Sequence, residues 1–465
     1  MGDEEKLPIL GVDSNMKNVY LKGPLFSRSG YGEHARFIFR ALMSRPDLYK
    51  VHVEATNWGK SSWNFRQTEE NIELMKAVNR VQEYVQKNGQ TPMDVTLQVL
   101  IPNEWAPSQT IARHSIGVTA AIETDKASKK WIDHCNTVDS IIVPSKHAKD
   151  TLVKPEYTGV DNGQGYHTSC KTPVEVISYP FRVIDKDNNF LESIKLDTKF
   201  NFLTVAQFGP RKNLIHTLKW FVEEFHDEED VGLVIKTHQI NNSLLDRKTL
   251  HTRLSAHLDN WPERKCKVYF LHGDLTDEQI SSLYVHPQIN AYFTVTHGEG
   301  FGLPIFEAAC NGLPVAAPAW SGHVDFLYGE VKNDVSKRKK MKPLFTKIKY
   351  DMTEIPDDVV WDDVLEKGTK WCDAQEKSAK KALRSMKDAY NSKKKEALFL
   401  QEYLSEELNE QKMFAKVVEH IEKTCPEGLG DIETWLEGFN SDAVDEPDDQ
   451  QIDAFLDQFT VIKHE

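Results

Sequence analysis

The sequence predicts an α/β protein made of two doubly wound domains, and three observations carry that expectation. Short apolar strand candidates alternate with helical stretches through most of the 465 residues, the pattern of a mostly parallel sheet. The series opens on a strand, a glycine-bearing loop and a helix, which is how a doubly wound unit begins. It starts afresh after the polar stretch Asp185–Asn189, so two such units follow one another. The expected organisation is a first domain over 1–185, a second over 186–424 with closing helices, and an acidic tail over 425–465.

The elements justify this in order. Asn18–Leu21 is a strand running into Lys22-Gly-Pro-Leu-Phe-Ser-Arg-Ser-Gly-Tyr-Gly32, and Glu33–Leu42 is a helix. Val95–Leu100, Ile116–Ala121 and Ser140–Val143 read as further strands. In the second unit Phe200–Val205, Val231–Lys236, Val268–Leu271, Ala291–Val295 and Pro314–Ala317 are strands. Asn213–Phe225 and Pro304–Asn311 are helices, and Trp361 to about Thr424 reads as helical, rich in Lys, Glu, Ala and Leu.

Composition narrows the class. Hydrophobic residues are 40% and charged residues 28%, while 24 Gly and 20 Pro are ordinary usage. No apolar run approaches the ~18–20 residues of a membrane span. The acidic start, Met-Gly-Asp-Glu-Glu, is unlike a signal peptide, so a cytoplasmic protein is expected. Six cysteines lie at least 35 residues apart with no CxxC pair, so neither a disulfide framework nor a zinc site is expected. The net charge of −14 is mostly the tail. From Cys425 onward twelve acidic residues face one lysine, leaving −3 for the rest.

The strongest signal is Thr296-His-Gly-Glu-Gly-Phe-Gly-Leu-Pro-Ile-Phe-Glu-Ala-Ala-Cys-Asn-Gly-Leu-Pro-Val315. Pro304 opens a helix and Gly312 closes it. Gly298, Gly300 and Gly302 leave backbone N–H groups open at the positive end of the helix dipole, a site for an anion such as a diphosphate. Glu299 precedes the helix and Glu307 lies eight positions later, so both carboxylates can border the loop and accept hydrogen bonds from sugar hydroxyls.

This block, with its Glu-x7-Glu pair, resembles the donor-site signature of the retaining family-4 glycosyltransferases with the GT-B fold. More loosely the resemblance runs from about residue 18 to 420, through SIIVPSKHAKDTL and VYFLHGDLTDEQISSLY. It implies two Rossmann-like domains facing across a cleft that binds a nucleotide diphosphate sugar, UDP by family frequency. Transfer would go to an acceptor hydroxyl with retention, needing no metal and no further cofactor. Glu307 would hold the ribose, Glu299 would face the transferred sugar, and the amides of Gly300, Phe301, Gly302 and Leu303 would hold the sugar or its phosphate.

In Ala206-Gln-Phe-Gly-Pro-Arg-Lys-Asn213 the family has an Arg and a Lys on the leaving diphosphate. Lys212 matches; the usual Arg position is Gln207, and Arg211 is the substitute. Lys236 is a third donor-side cation. Gly30, Tyr31 and Gly32 resemble the glycine loop that lies across the cleft from the phosphates. Where relatives place a His beside the reacting sugar, this chain has Val118–Asp125 with no His, and Glu123 takes that place.

Trp58, Trp63 and Phe65, interleaved with Asn57, Lys60 and Asn64, suit acceptor stacking or a satellite core. Asp185-Lys-Asp187 is read as linker rather than as a metal site. KGPLFSRSGYGEHAR and GVTAAIETDKASKKW resemble family-4-like enzymes of tailed bacteriophages, where a hydroxymethylated pyrimidine of DNA is one acceptor and a carbohydrate or surface polysaccharide another. Lys332–Lys349 holds eight basic residues, including Lys337-Arg-Lys-Lys340, against Asp334; it reads by default as a solvated loop and otherwise as a contact for a polyanionic acceptor, leaning slightly to DNA while the acidic tail leans against it. A non-catalytic nucleotide-sugar-binding protein is the alternative of another class.

Overall fold

In β1 (Lys17–Gly23) the consecutive residues Val19, Tyr20 and Leu21 are all buried, as happens when a sheet is covered on both faces. The structure is a computed structural model that describes residues 16–425 except 60, 65, 90, 107–110, 162, 163 and 333–338. The chain divides into two units, Met1–Ile421, which carries both sheets, and Glu422–Glu465.

After β1 comes α1 (Gly30–Met43), capped by the Ser29 hydroxyl, which accepts from the Gly32 N–H. Gly30, Tyr31 and Gly32 therefore form the first helical turn rather than a loop. The chain still folds back on itself there, and a Cβ on Gly32 would come within 2.1 Å of the Ser27 carbonyl. The unit continues through β2 (Tyr49–Ala55), α2 (Glu69–Asn88), β3 (Met93–Val99), β4 (Ala112–Val118), α3 (Lys129–Cys135), β5 (Ser140–Val143) and α4 (Lys146–Val153). A hairpin, β6 (Glu156–Asp161) with β7 (Gln164–Ser169), precedes β8 (Val174–Val176). The sheet order is β2-β1-β3-β4-β5-β8, parallel throughout.

α5 (Asn188–Ser193) is capped by Asp187, whose carboxylate accepts from the Phe190 N–H. The second unit then runs β9 (Phe200–Gln207), α6 (Leu214–Glu224), β10 (Val231–His238), α7 (Leu244–Leu258), β11 (Lys267–Leu271), α8 (Asp277–Tyr284), β12 (Ile289–Phe293), α9 (Leu303–Cys310) and β13 (Val315–Pro318). β14 (Tyr328–Lys332) pairs with β15 (Lys339–Pro343), and β16 (Thr346–Ile348) completes a second parallel sheet ordered β11-β10-β9-β12-β13-β16. Its core is aromatic, with Phe202, Phe221, Phe225 and Phe293 fully buried together.

In the stretch expected to be helical from Trp361, helix begins only at Glu376. β17 (Tyr350–Glu354) pairs with β18 (Lys370–Ala374), whose Trp371, Cys372 and Ala374 are buried. The Ala- and Lys-rich sequence takes over in α10 (Glu376–Asp388), α11 (Tyr390–Glu407) and α12 (Glu410–Thr424). α10 is fixed to the second domain where Arg384 pairs with Glu224 at 2.8 Å and lies over Phe225. α12 returns to the first, with Phe414 against Phe37 and His420 sharing a 3.0 Å hydrogen bond with Ser140. Among the described residues no helix is long and apolar enough to cross a membrane.

Candidate active site

Each sheet reverses its strand order once, between β1 and β3 in the first and between β9 and β12 in the second. Such switch points are where open α/β sheets bind ligands, beyond the carboxyl ends of their strands. Arg211, Lys212, Glu299 and Glu123 come together at the second of these places.

Past β9, Pro210–Lys212 makes a tight 3-10 turn and Asn213 takes left-handed backbone, φ 50°, before α6. The Asn213 amide donates to the Val295 carbonyl at 3.2 Å, tying this turn to the chain leaving β12. Two cations are thereby held against one carboxylate. Lys212 Nζ lies 2.7 Å from both oxygens of Glu299, and Arg211 lies 3.1 Å from Oε2 while donating to the Gly298 carbonyl at 2.6 Å. Thr296 adds a hydroxyl donor at 3.0 Å. Burial alone would raise the Glu299 pKa, but Lys212 and Arg211 hold it down at about 2. Burial lowers the Lys212 pKa and the adjacent guanidinium lowers it further.

The first domain contributes Glu123, whose carboxylate meets the other arm of Arg211 at 3.1 Å. The centre thus has two cations and two carboxylates, with Arg211 shared between domains. The glycines explain how the domains come so close. A Cβ on Gly298 would stand 2.3 Å from the Glu123 carbonyl, and one on Gly300 would stand 2.5 Å from that of Ala120. Ser145 donates to the Gly300 carbonyl at 2.6 Å, and Asp125 and Lys370 exchange 2.8 Å hydrogen bonds. The sequence assigned these glycines to anion binding; two of them also admit the opposite domain.

Gly302, φ 94°, precedes α9 without a side-chain cap, and its carbonyl accepts from the Ile305 and Phe306 amides at 3.0 and 2.9 Å. Gly30 lies across from it, its α-carbon facing Leu303. Tyr31 hydrogen-bonds Thr119 at 2.7 Å and stacks on Trp58 at 4.2 Å. Trp58 packs against the first domain's core, whereas Trp63 is exposed and stacks on Phe26. The Phe301 side chain is a packing group, in contact with Tyr179, Phe306 and Phe326.

Glu307 accepts from the Tyr284 hydroxyl at 2.7 Å. Burial raises its pKa to about 7, with Asp277 and Glu33 adding to the push against the Tyr284 hydroxyl and the Arg182 charge. Lys236, at the end of β10, is buried, and desolvation lowers its pKa to about 8. Arg28 reaches over from the first domain, donating to the Leu275 carbonyl at 2.7 Å and approaching Asp274. Gln207 turns away and donates to the Gln239 carbonyl. Lys339 pairs with Glu330 at 2.9 Å and Lys340 is exposed. Lys60, Phe65, Asp334, Lys337, Arg338 and the acidic tail lie outside the described residues.

Sequence reasoning missed a relay beneath Glu299. His323 Nε2 lies 2.7 Å from the Pro318 carbonyl, which assigns the proton to that nitrogen and leaves Nδ1 to accept from Ser321 at 3.3 Å. The Ser321 oxygen accepts from the Glu299 N–H at 2.9 Å. Ser321 holds φ 81°, a strained position for a residue with a side chain. Gly322 beside it was the available signal, since a Cβ there would meet the Gly300 carbonyl at 2.0 Å.

Two parallel-stranded domains joined across a cleft, with the switch points facing, define the GT-B fold. Solved structures share it: Anabaena HepE in complex with UDP and glucose aligns over 88% of this chain and 100% of its own, at TM-score 0.57 and 10% identity. The sucrose-phosphate synthase of Thermosynechococcus elongatus aligns over 88% and 99%, at 0.58 and 12%. A glycosyltransferase of Rickettsia africae covers 89% and 100%, at 0.54 and 10%. In sequence, the serotype-specific mannosyltransferase WbdA of Escherichia coli is 30% identical over 146 residues, which is 30% of this chain. The chain spans about a sixth of that relative's length, 16%. No protein-family model matches the chain.

Proposed function

We propose that the protein is a retaining glycosyltransferase that moves a sugar from a nucleotide diphosphate, UDP in the first instance, to an acceptor hydroxyl without a metal. One observation carries the reading: Arg211 and Lys212 converge on Glu299 at the second switch point, with Glu123 of the opposite domain on the same guanidinium. A donor diphosphate entering here finds two preorganised cations beside the positive end of α9. These stabilise charge on the departing phosphate as the bond from the anomeric carbon to the phosphate oxygen breaks. The acceptor oxygen attacks from the face the phosphate leaves, and its proton passes to a phosphate oxygen. Configuration is retained without a protein nucleophile. Glu307 takes the ribose hydroxyls and Lys236 serves the donor side as a further cation.

UDP is supported by the complexes of the HepE structure, and sugar transfer by the mannosyltransferase likeness. For the acceptor, that same likeness supports a carbohydrate hydroxyl over a hydroxymethylated pyrimidine of DNA. Incubating the protein with UDP- and GDP-sugars against a panel of oligosaccharides and hydroxymethylated DNA, with product mass spectrometry, tests this. A hexose-mass increment on an oligosaccharide is the expected result. Labelled DNA instead moves the acceptor to nucleic acid, and nucleotide-sugar binding without product or hydrolysis makes the protein a binder.

A further inference from the structure

The chain's six cysteines are far apart in sequence and all are free thiols, yet the fold brings two of them together away from the cleft. Cys135 is the last residue of α3 and fully buried; Cys170 follows β7 and is half-buried against the same apolar cluster. Their surroundings are sewn together. The Asn136 side chain donates to the Ser169 carbonyl at 2.9 Å and accepts from the Lys171 N–H at 2.8 Å, gripping the residues on either side of Cys170. Thr168 donates to Asp133 at 3.0 Å and Thr172 to the Val138 carbonyl at 3.2 Å. This frame sets the two cysteines beside one another, close enough that each thiol perturbs the other's ionisation, and the Cys170 thiol donates to the Thr172 carbonyl at 3.6 Å.

We propose that Cys135 and Cys170 form a reversible thiol–disulfide switch, oxidised by a low-molecular-weight disulfide, that ties the β6–β7 hairpin to α3. The accessible Cys170 thiolate attacks one sulfur of the oxidant, releasing one small thiolate and leaving a mixed disulfide. Cys135 then loses its proton and attacks the Cys170 sulfur, and the second small thiol departs. Two protein thiols are oxidised and one external disulfide is reduced to two thiols.

The division of labour follows from the geometry. Cys170 is half-buried where Cys135 is fully buried, so it is the thiol an external molecule meets first, and beside its neighbour the Cys170 pKa is lowered while that of Cys135 is raised. The other four cysteines are buried. The bond would also stiffen an inter-domain contact. The first turn of α3 holds Asp363 of the second domain, through Ser128 on its carbonyl and Lys130 on its carboxylate, both at 2.8 Å.

The test uses the full chain and needs no sugar donor, so its outcome is separate from that of the transferase reading. Protein treated with glutathione disulfide, then alkylated and digested, is expected to yield one cross-linked peptide pair joining Cys135 to Cys170, with four thiols alkylated. The oxidised form should melt a few degrees above the reduced form, and dithiothreitol should reverse the shift. Cys135→Ser should accumulate glutathione on Cys170, whereas Cys170→Ser should leave Cys135 unmodified. Melting of both reduced variants reports folding. The proposal is overturned if glutathione stays on Cys170 of the unaltered protein without the cross-link, if the link joins other cysteines, or if all six thiols remain reduced.

Discussion

Replacing Glu307 by Gln should remove one limb of the pH dependence of donor binding. The Glu307 carboxyl is pushed up to about 7, chiefly by burial, with the Tyr284 hydroxyl and the Arg182 charge set against that. Ribose hydroxyls are best held by the ionised form, which accepts on both oxygens. At pH 6 about a tenth of the group is ionised and at pH 8 about nine tenths, so this group by itself should make a nucleotide sugar bind about tenfold tighter at the higher pH. Lys236 acts in the opposite sense. Its ammonium has a pKa lowered to about 8 and loses charge above it, so affinity should fall again on the alkaline side.

The expected profile is therefore a bell with limbs near 7 and 8. Glu307→Gln should flatten the acid limb and Lys236→Met the alkaline one, each leaving the other in place. Calorimetry with an intact UDP-sugar, in buffers of different ionisation enthalpy, reads both affinity and proton release. Because the folded state holds the Glu307 proton more tightly than the unfolded chain, ionisation costs stability as pH rises from about 4.5 through 7. Glu307→Gln should accordingly raise the melting temperature at pH 8 relative to the unaltered protein. An acid limb that survives in Glu307→Gln would refute the assignment.

Lys212→Ala should lower kcat by at least ~10²-fold, the scale of one preorganised electrostatic contact, while EDTA leaves turnover intact; restoration of lost activity by Mg²⁺ would contradict the metal-free mechanism. Gly300→Ala places a methyl where the Ala120 carbonyl now stands at 2.5 Å, so steady-state kinetics should show a kcat/KM loss of about 10²-fold from displaced domains, with the fold intact by circular dichroism. Ser321→Gly should relieve about 1–3 kcal/mol of backbone strain and melt no lower than the parent, yet turn over more slowly because the Glu299 N–H loses its acceptor. Thermal denaturation beside a kcat measurement checks both halves of that expectation.

The parts legible in the sequence were those fixed by local periodicity and by one contiguous motif. Ser140–Val143 is strand at the expected residues, the two α/β units follow from alternation that any parallel sheet imposes, and the GT-B arrangement is what the resemblance of the Thr296–Val315 block implied. Arg211, Lys212, Glu299 and Glu123 were named from short stretches and do meet in space. What escaped was set by pairing at a distance. Lys370–Ala374 lies next to helix-rich sequence and becomes strand because β17 lies beside it. Gly298 and Gly300 looked like phosphate glycines, and their contact with the 120–123 loop cannot be read from either segment alone. Ser321 showed nothing in sequence, since strain appears only once the Glu299 loop is packed upon it.

The central claim is that this cleft breaks the sugar–phosphate bond of a nucleotide sugar at the Arg211–Lys212 centre. Proton NMR of a UDP-sugar incubated with the protein follows it directly, because water can stand in for the acceptor. The account predicts UDP release, a first-formed free sugar with the α configuration of the donor, and loss of both signals in Lys212→Ala. A β sugar formed first, release undiminished in Lys212→Ala, or no release from any nucleotide sugar tried with acceptors present would contradict it.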